Sequence, residues 1–319
     1  MNRWGRAAVS AALIGWLASG GVAQADPGLY APSAGTEATY FQAGPQAVTE
    51  EIGFGCCDST GAKYDLWYPT DLGAAPHPIV VWGDGTDAVP SRYAYLLRHL
   101  ASWGFVVVAT ENQQTGSGDE ILSSLTYLLD RAQDPSSIFF GKLDTTAVGA
   151  LGHSQGATGV LNAMIKSGGA IKTAIPFELP AQHWCSTEPT CTDTRRIKAG
   201  SVFFVNGSAD VLAAPSDQLL PWQSAGLQSV RAYYEATTVP KVWGTLNGPN
   251  HNDIQGRPGC AQASFPCTAG VYGYLGYPTA WLLAELRGDT TARSAFATGT
   301  GAFLSPSPNW SNQTSRLEP

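Results

Sequence analysis

Charge is scarce in this sequence. Only 13% of the 319 residues are Asp, Glu, Lys or Arg, and 18 basic residues face 25 acidic ones, for a formal net charge of -7. No run of Lys or Arg occurs. Without clustered cations a chain has little with which to neutralise phosphates, so a nucleic-acid partner is not expected. Long apolar runs are missing too: beyond residue 25 no segment approaches the roughly 20 consecutive apolar residues of a membrane-spanning helix. C-x-x-C and H-x-x-x-H spacings are absent, which removes the usual signs of a metal site. Neither an internal repeat nor a long linker divides the chain.

What is present begins at the N-terminus. Arg3 and Arg6 precede the apolar stretch AAVSAALIGWLASGGVA, and Ala23 and Ala25 frame the small-x-small pattern that signal peptidase cleaves. Residues 1–25 are therefore expected to be a signal peptide, and the mature chain to be secreted without a membrane anchor. Six cysteines in an exported chain imply disulfides. Cys185 and Cys191 bracket STEPT, Cys260 and Cys267 bracket AQASFP, and each pair could close a small surface loop. Cys56 and Cys57 are adjacent. A bond between neighbours is strained and rare, which leaves cross-pairing open.

With 44% hydrophobic residues, the chain can bury a large core. Apolar runs stopped by glycine or proline (KYDLWYP, PIVVWGDG, FVVVATE, TTAVGALG, KTAIPFE, GSVFFVNG, PKVWGTLNG) read as strands. Between them PSRYAYLLRHLASWG, GDEILSSLTYLLDRA and GATGVLNAMIKSGG read as helices, and YPTAWLLAELRG as a last helix stopped by Gly288. Buried strands alternating with helices predict an α/β fold with a mostly parallel central sheet and helices on both faces. Residues 26–44, rich in Pro, Gly and Ala, are expected to be loosely held. Residues 45–304 are expected to form the main α/β domain, and 305–319, rich in Pro and Ser, an irregular surface tail.

The segment LGHSQGA places Ser154 between Gly152 and Gly156, at the junction of a predicted strand and a predicted helix. That is the setting of a nucleophile elbow, whose tight turn needs small neighbours. The next backbone N–H, on Gln155, opens the helix and can help bind an oxyanion. A serine nucleophile needs a base and an acid that orients the base. His251, in a loop after the last predicted strand, is the expected base. His183 lies in the cysteine-bounded segment, His153 is read as packing beside the elbow, and His77 and His99 as structural. Asp210, just past a strand end, is the expected acid, with Glu178 as the serious alternative, Asp217 weaker, and Asp253 too close to His251 in sequence. The second oxyanion donor should come from GDGTDA, through Gly85 or Thr86, provided that Asp84 points its carboxylate elsewhere.

Several segments taken in order resemble the bacterial cutinase and polyester-hydrolase branch of the α/β-hydrolases, which includes the PET hydrolases. YDLWYPTD, LASWGFVV, FGKLDTTAVGALGHSQGA and LRGDTTARSAF are similar to that family's corresponding stretches between about Tyr64 and Phe303. The resemblance implies the α/β-hydrolase fold and ester cleavage through an acyl-enzyme. It implies Ser154 as nucleophile, Asp210 as acid, His251 as base, and Gln155 and Thr86 as oxyanion donors. Gly85 and Trp184 are expected to contact an ester substrate. The chain departs from the family where Gln155 replaces a methionine, Thr86 an aromatic residue, and where Trp184 is shifted beside a cysteine loop. No metal or organic cofactor is implied, and a monomer is expected. The rival expectations are a lipase or small-ester carboxylesterase without polyester activity, and a non-catalytic binding protein on the same fold.

Overall fold

A computed structural model describes residues 30–185, 190–217 and 226–318. The expected signal peptide lies outside the described residues. The strands are β1 (Val48–Gly55), β2 (Tyr64–Pro69), β3 (His77–Gly83), β4 (Val106–Thr110), β5 (Leu143–His153), β6 (Ile171–Phe177), β7 (Ser201–Gly207), β8 (Lys241–Leu246) and β9 (Trp310–Arg316). The helices are α1 (Thr36–Phe41), α2 (Ala94–Ser102), α3 (Asp119–Gln133), α4 (Gln155–Lys166), α5 (Val230–Ala236), α6 (Gly276–Arg287) and α7 (Thr290–Ser294). The described strands form one sheet in the order β1-β2-β4-β3-β5-β6-β7-β8-β9. From β4 through β8 neighbours are parallel, while β1, β2 and β9 pair antiparallel at the two ends.

Strand residues alternate between two cores, as a two-residue period demands. On β3, Val80 and Trp82 join the cluster under α2 and α6, whereas Ile79 and Val81 join the one under α3 and α4. Phe203 and Phe204 divide in the same way on β7. Both faces of the sheet are thus covered, which is why the central strands read as continuous apolar runs. α3 carries Asp119 and Glu120 in its first turn and Arg131 in its last, complementing its dipole. α6 ends on Gly288, whose φ of 64° is the left-handed cap that glycine adopts without strain.

Three expectations change. The tail expected to be irregular supplies β9, which pairs along β8 from Lys241↔Arg316 to Leu246↔Trp310. Its polar, Ser- and Asn-rich sequence hides the strand because an edge strand needs few inward residues, here Trp310 and Ser315. The segment expected to be loosely held contains α1, which buries Tyr40 and Phe41 against the core, and the Tyr40 hydroxyl donates to Asp289 Oδ2 at 2.8 Å. Finally, Cys56 is bonded to Cys57, so cross-pairing does not occur, while Cys185–Cys191 and Cys260–Cys267 close the two loops read from the sequence.

Candidate active site

The loops at the C-terminal ends of the parallel strands converge, as in open α/β sheets generally. Ser154 follows β5 directly and has φ 55° and ψ -121°, a conformation that a non-glycine residue holds only when its surroundings enforce it. The glycines around it permit the close approach. A Cβ on Gly152 would lie 2.4 Å from the Gly156 carbonyl oxygen, and one on Gly156 would lie 2.1 Å from that of Gly83. The turn is held to the neighbouring strand by Ser154 N–H donating to the Phe177 carbonyl at 3.0 Å.

His251 leaves the loop after β8 and faces the serine. Its Nε2 lies 2.9 Å from Ser154 Oγ, and its Nδ1 lies 2.6 Å from Asp210 Oδ2. A carboxylate can only accept, so Nδ1 carries the proton and Nε2 is left to accept from the serine hydroxyl. Asp210, 3% exposed, also accepts the Ala213 N–H at 3.1 Å. Burial opposes its ionisation. The hydrogen bond and charge of His251, together with contacts from Ala213 and Glu178, outweigh that and hold its carboxyl below the ordinary range. The loops bearing Asp210 and His251 are also tied to each other: Ala209 N–H donates to the Pro249 carbonyl, and Gly248 N–H to Ser208 Oγ.

Thr86, Gly85, Gln155 and Trp184 line the same cleft as Ser154 and His251, a space of about 690 Å³. Gln155 is the first residue of α4, and among the described residues neither its backbone N–H nor that of Thr86 has an acceptor within the protein. Asp84 turns away from the cleft lining, with Oδ1 accepting the Trp82 indole N–H at 2.8 Å. Complete burial pushes its carboxyl well above the ordinary range.

The remaining candidates separate clearly. Asp217 lies outside the cleft, paired with Arg231. Asp253 is fully buried and accepts four backbone N–H groups, from Asn250, Thr268, Ala269 and Gly270, and so anchors the loop behind His251. His183 bonds to Gln228, His99 to the Tyr40 carbonyl, and His77 faces the carbonyls of Gly104 and Leu72. Glu178 immediately follows β6, within reach of Asp210 and His251 and behind the pair rather than in place of Asp210.

Two features escape sequence reasoning. His153 does more than pack: its Nε2 donates to the His251 carbonyl at 2.8 Å, and its Nδ1 accepts from the Tyr93 hydroxyl at 2.9 Å. Burial, with the nearby His251, pushes this imidazole down to about 3, which agrees with one nitrogen donating and the other accepting. The Gln155 side chain bridges to a facing loop, accepting from Thr115 N–H and donating to Gln114 Oε1, both at 3.0 Å. A histidine immediately before the serine was the available signal for the first feature. The second has none in the sequence.

The chain is similar to known proteins over part or most of its length. The profile of a family described as PET hydrolase-like (PETase) matches residues 23–248. A bis(hydroxyethyl) terephthalate hydrolase from Streptomyces coelicolor is 35% identical over 117 residues, covering 35% of this chain and 36% of that protein. Cutinase est2 from Thermobifida alba is 28% identical over 143 residues, covering 43% of this chain and 45% of that protein. The chain therefore spans less than half the length of these curated relatives.

Proposed function

The chain belongs to the PET hydrolase-like family, and from that premise we propose that it is a serine hydrolase of carboxylic esters, of the cutinase and polyester-hydrolase kind. The observation that carries this reading is the continuous path from Ser154 Oγ through His251 to Asp210, at 2.9 and 2.6 Å, on a strained strand-to-helix turn. Ser154 Oγ attacks the ester carbonyl carbon while His251 Nε2 takes its proton. Asp210 holds the ring in the tautomer that makes Nε2 the acceptor and stabilises the imidazolium that forms. The backbone N–H groups of Gln155 and Thr86 receive the oxyanion of the tetrahedral intermediate, an arrangement in which each donor contributes about 3 kcal/mol to the barrier reduction. The imidazolium then gives its proton to the departing alcohol, leaving an acyl group on Ser154. Water, deprotonated by His251, releases the acid and restores the serine.

Trp184 is 59% exposed at the cleft, where a flat apolar side chain suits an aromatic or long-chain acyl group better than acetate. Residues 1–25 are read as an export signal, and three disulfides suit an oxidising compartment. The deciding experiment pairs a fluorophosphonate probe with a panel of soluble and polymeric esters, on wild type and Ser154→Ala. Wild type should be labelled and should cleave esters of aromatic diacids, and Ser154→Ala should do neither. Equal labelling of both proteins would remove Ser154 from the mechanism, and cleavage of short aliphatic esters alone would replace the polyester reading with that of a small-ester carboxylesterase.

A further inference from the structure

Glu178 is a buried carboxyl for which the reaction above has no use. It sits at the end of β6 with φ 49°, fully buried, its backbone N–H donating to the Val205 carbonyl at 2.9 Å. A glutamate in that backbone region is held there by its surroundings. Its Oε2 accepts the Gly207 N–H at 3.0 Å, and its Oε1 accepts the Tyr274 hydroxyl at 2.5 Å. Gly207 opens the loop that carries Asp210, so the side chain grips that loop at its root.

One carboxyl oxygen of Glu178, one of Asp210 and a ring nitrogen of His251 all lie within 4.8 Å of one another. Tyr274 faces Glu178 from the turn Val271–Tyr274, Asp210 from the loop after β7 and His251 from the loop after β8, and the Asp253 charge acts on Tyr274. None of the ion pairs among the described residues includes Glu178. Two buried carboxyls beside a single imidazole share one potential cation, and the Gly207 and Tyr274 donors give Glu178 dipoles but no counter-charge, so a second ionisation is disfavoured. Asp210 is the one in contact with the imidazole, which leaves Glu178 as the carboxyl that favours the proton.

We propose that Glu178 is a positioning residue: a neutral carboxylic acid whose hydroxyl donates to the Asp210 carboxylate and keeps it aligned with His251 Nδ1. The inference rests on the reading of Ser154, His251 and Asp210 as the reacting set. The electrostatics agree. Burial, reinforced by the Asp210 charge, pushes the Glu178 carboxyl well above the ordinary carboxylate range. A hydrogen bond from Glu178 is among the contacts that hold Asp210 below it. An ionised Glu178 would instead repel Asp210 and add a second anion near the imidazolium.

The test compares Glu178→Gln with Glu178→Leu on a soluble ester, through kcat, KM and the pH–rate profile. The amide keeps an N–H donor toward Asp210 without a charge, so Glu178→Gln should stay within about 3-fold of wild type with its acid limb unmoved. The leucine removes the donor, so Glu178→Leu should lose about 10-fold or more in kcat at near-constant KM, with its acid limb moved to higher pH. An acid limb displaced downward by about one pH unit or more in Glu178→Gln would mean that an anionic charge had been removed, and would overturn the proposal. So would a folded Glu178→Leu with wild-type kcat and profile. If Glu178→Leu does not fold, the profile of Glu178→Gln decides alone. Asp210→Asn separates the two levels of inference: wild-type turnover in that variant would undo the assignment of Asp210 itself, whereas its inactivity beside a shifted Glu178→Gln profile would undo only the role of Glu178.

Discussion

Tyr93 and His153 are joined by a 2.9 Å hydrogen bond from the phenol to Nδ1. The same phenol oxygen accepts the Gly85 N–H at 3.1 Å, and His153 continues the chain to the His251 carbonyl. The glycine loop, the elbow and the histidine loop are therefore one connected unit. Its direction is unambiguous: Gly85 N–H to Tyr93, Tyr93 O–H to His153, His153 N–H to His251.

Tyr93→Phe breaks that unit with a single atom. The Gly85 N–H and His153 Nδ1 both lose their partner inside the protein, which should cost about 1–3 kcal/mol of stability. Because the glycine loop and His251 also lose their common tie, kcat should fall about 10-fold with KM nearly unchanged. Urea unfolding and steady-state kinetics on a soluble ester measure the two effects, and an unchanged kcat would show that the network serves packing alone.

His99 makes part of the stability pH-dependent. Its Nε2 donates to the Tyr40 carbonyl at 3.0 Å, and burial pushes the ring down to about 4. The unfolded chain takes up this proton as pH falls through about 6.5 while the folded chain refuses it, so stability present above that value is lost on acidification. His153 has the same sign. Asp84 and Glu178, raised by burial, have the opposite sign: their contribution is present at low pH and is lost as pH rises through their folded values. The clean observable is thus a difference. Between pH 7 and 5, wild type should lose on the order of 2 kcal/mol more unfolding free energy than His99→Gln, which keeps the donor without the titration. Parallel losses in the two proteins would contradict this.

Gln155→Met separates the side chain of that residue from its backbone. The Thr115 N–H would lose its acceptor beside a fully buried residue, at a cost of about 1 kcal/mol or more. The proposed oxyanion donor is a backbone group that the change leaves in place, so kcat on a small ester should stay within about 3-fold. A fall of two orders of magnitude would mean that the tie to Gln114 and Thr115 sets the geometry of the elbow itself.

Trp184→Ala tests selectivity. The indole N–H donates to the Leu212 carbonyl at 3.0 Å, which steadies the ring two residues from Asp210. KM for an aromatic diester should rise about 5- to 10-fold with little change in kcat, and a short aliphatic ester should be unaffected. Equal effects on both substrates would point to a disturbed acid loop instead.

The central strands were legible because burial on both faces leaves an unbroken apolar signature, as in PIVVW and SVFFV. Ser154, Asp210 and His251 could be named because each stands just past such a run, and the structure brings them together. β1, β9 and α1 were not legible. Edge strands such as Val48–Gly55 and Trp310–Arg316 bury few residues, so neither alternation nor an apolar run marks them. Tyr93, on a 3-10 turn far from Ser154 in the chain, meets His153 only through the fold. Glu178 presented itself as a competitor of Asp210, because order along the chain cannot distinguish a group that faces the imidazole from one that stands behind it.

β9 has a consequence for the order in which the site comes into being. β8 leads into the loop that presents His251, and its outer neighbour is a strand some sixty residues further on, with Asn247 N–H donating to the Asn309 carbonyl where the two meet. A ribosome makes Ser154, then Asp210, then His251, and only afterwards the strand against which the histidine's support is braced. Ser154 is therefore synthesised well before β9 exists to pair with the strand that leads to His251, so the last-made segment completes the support of the histidine loop.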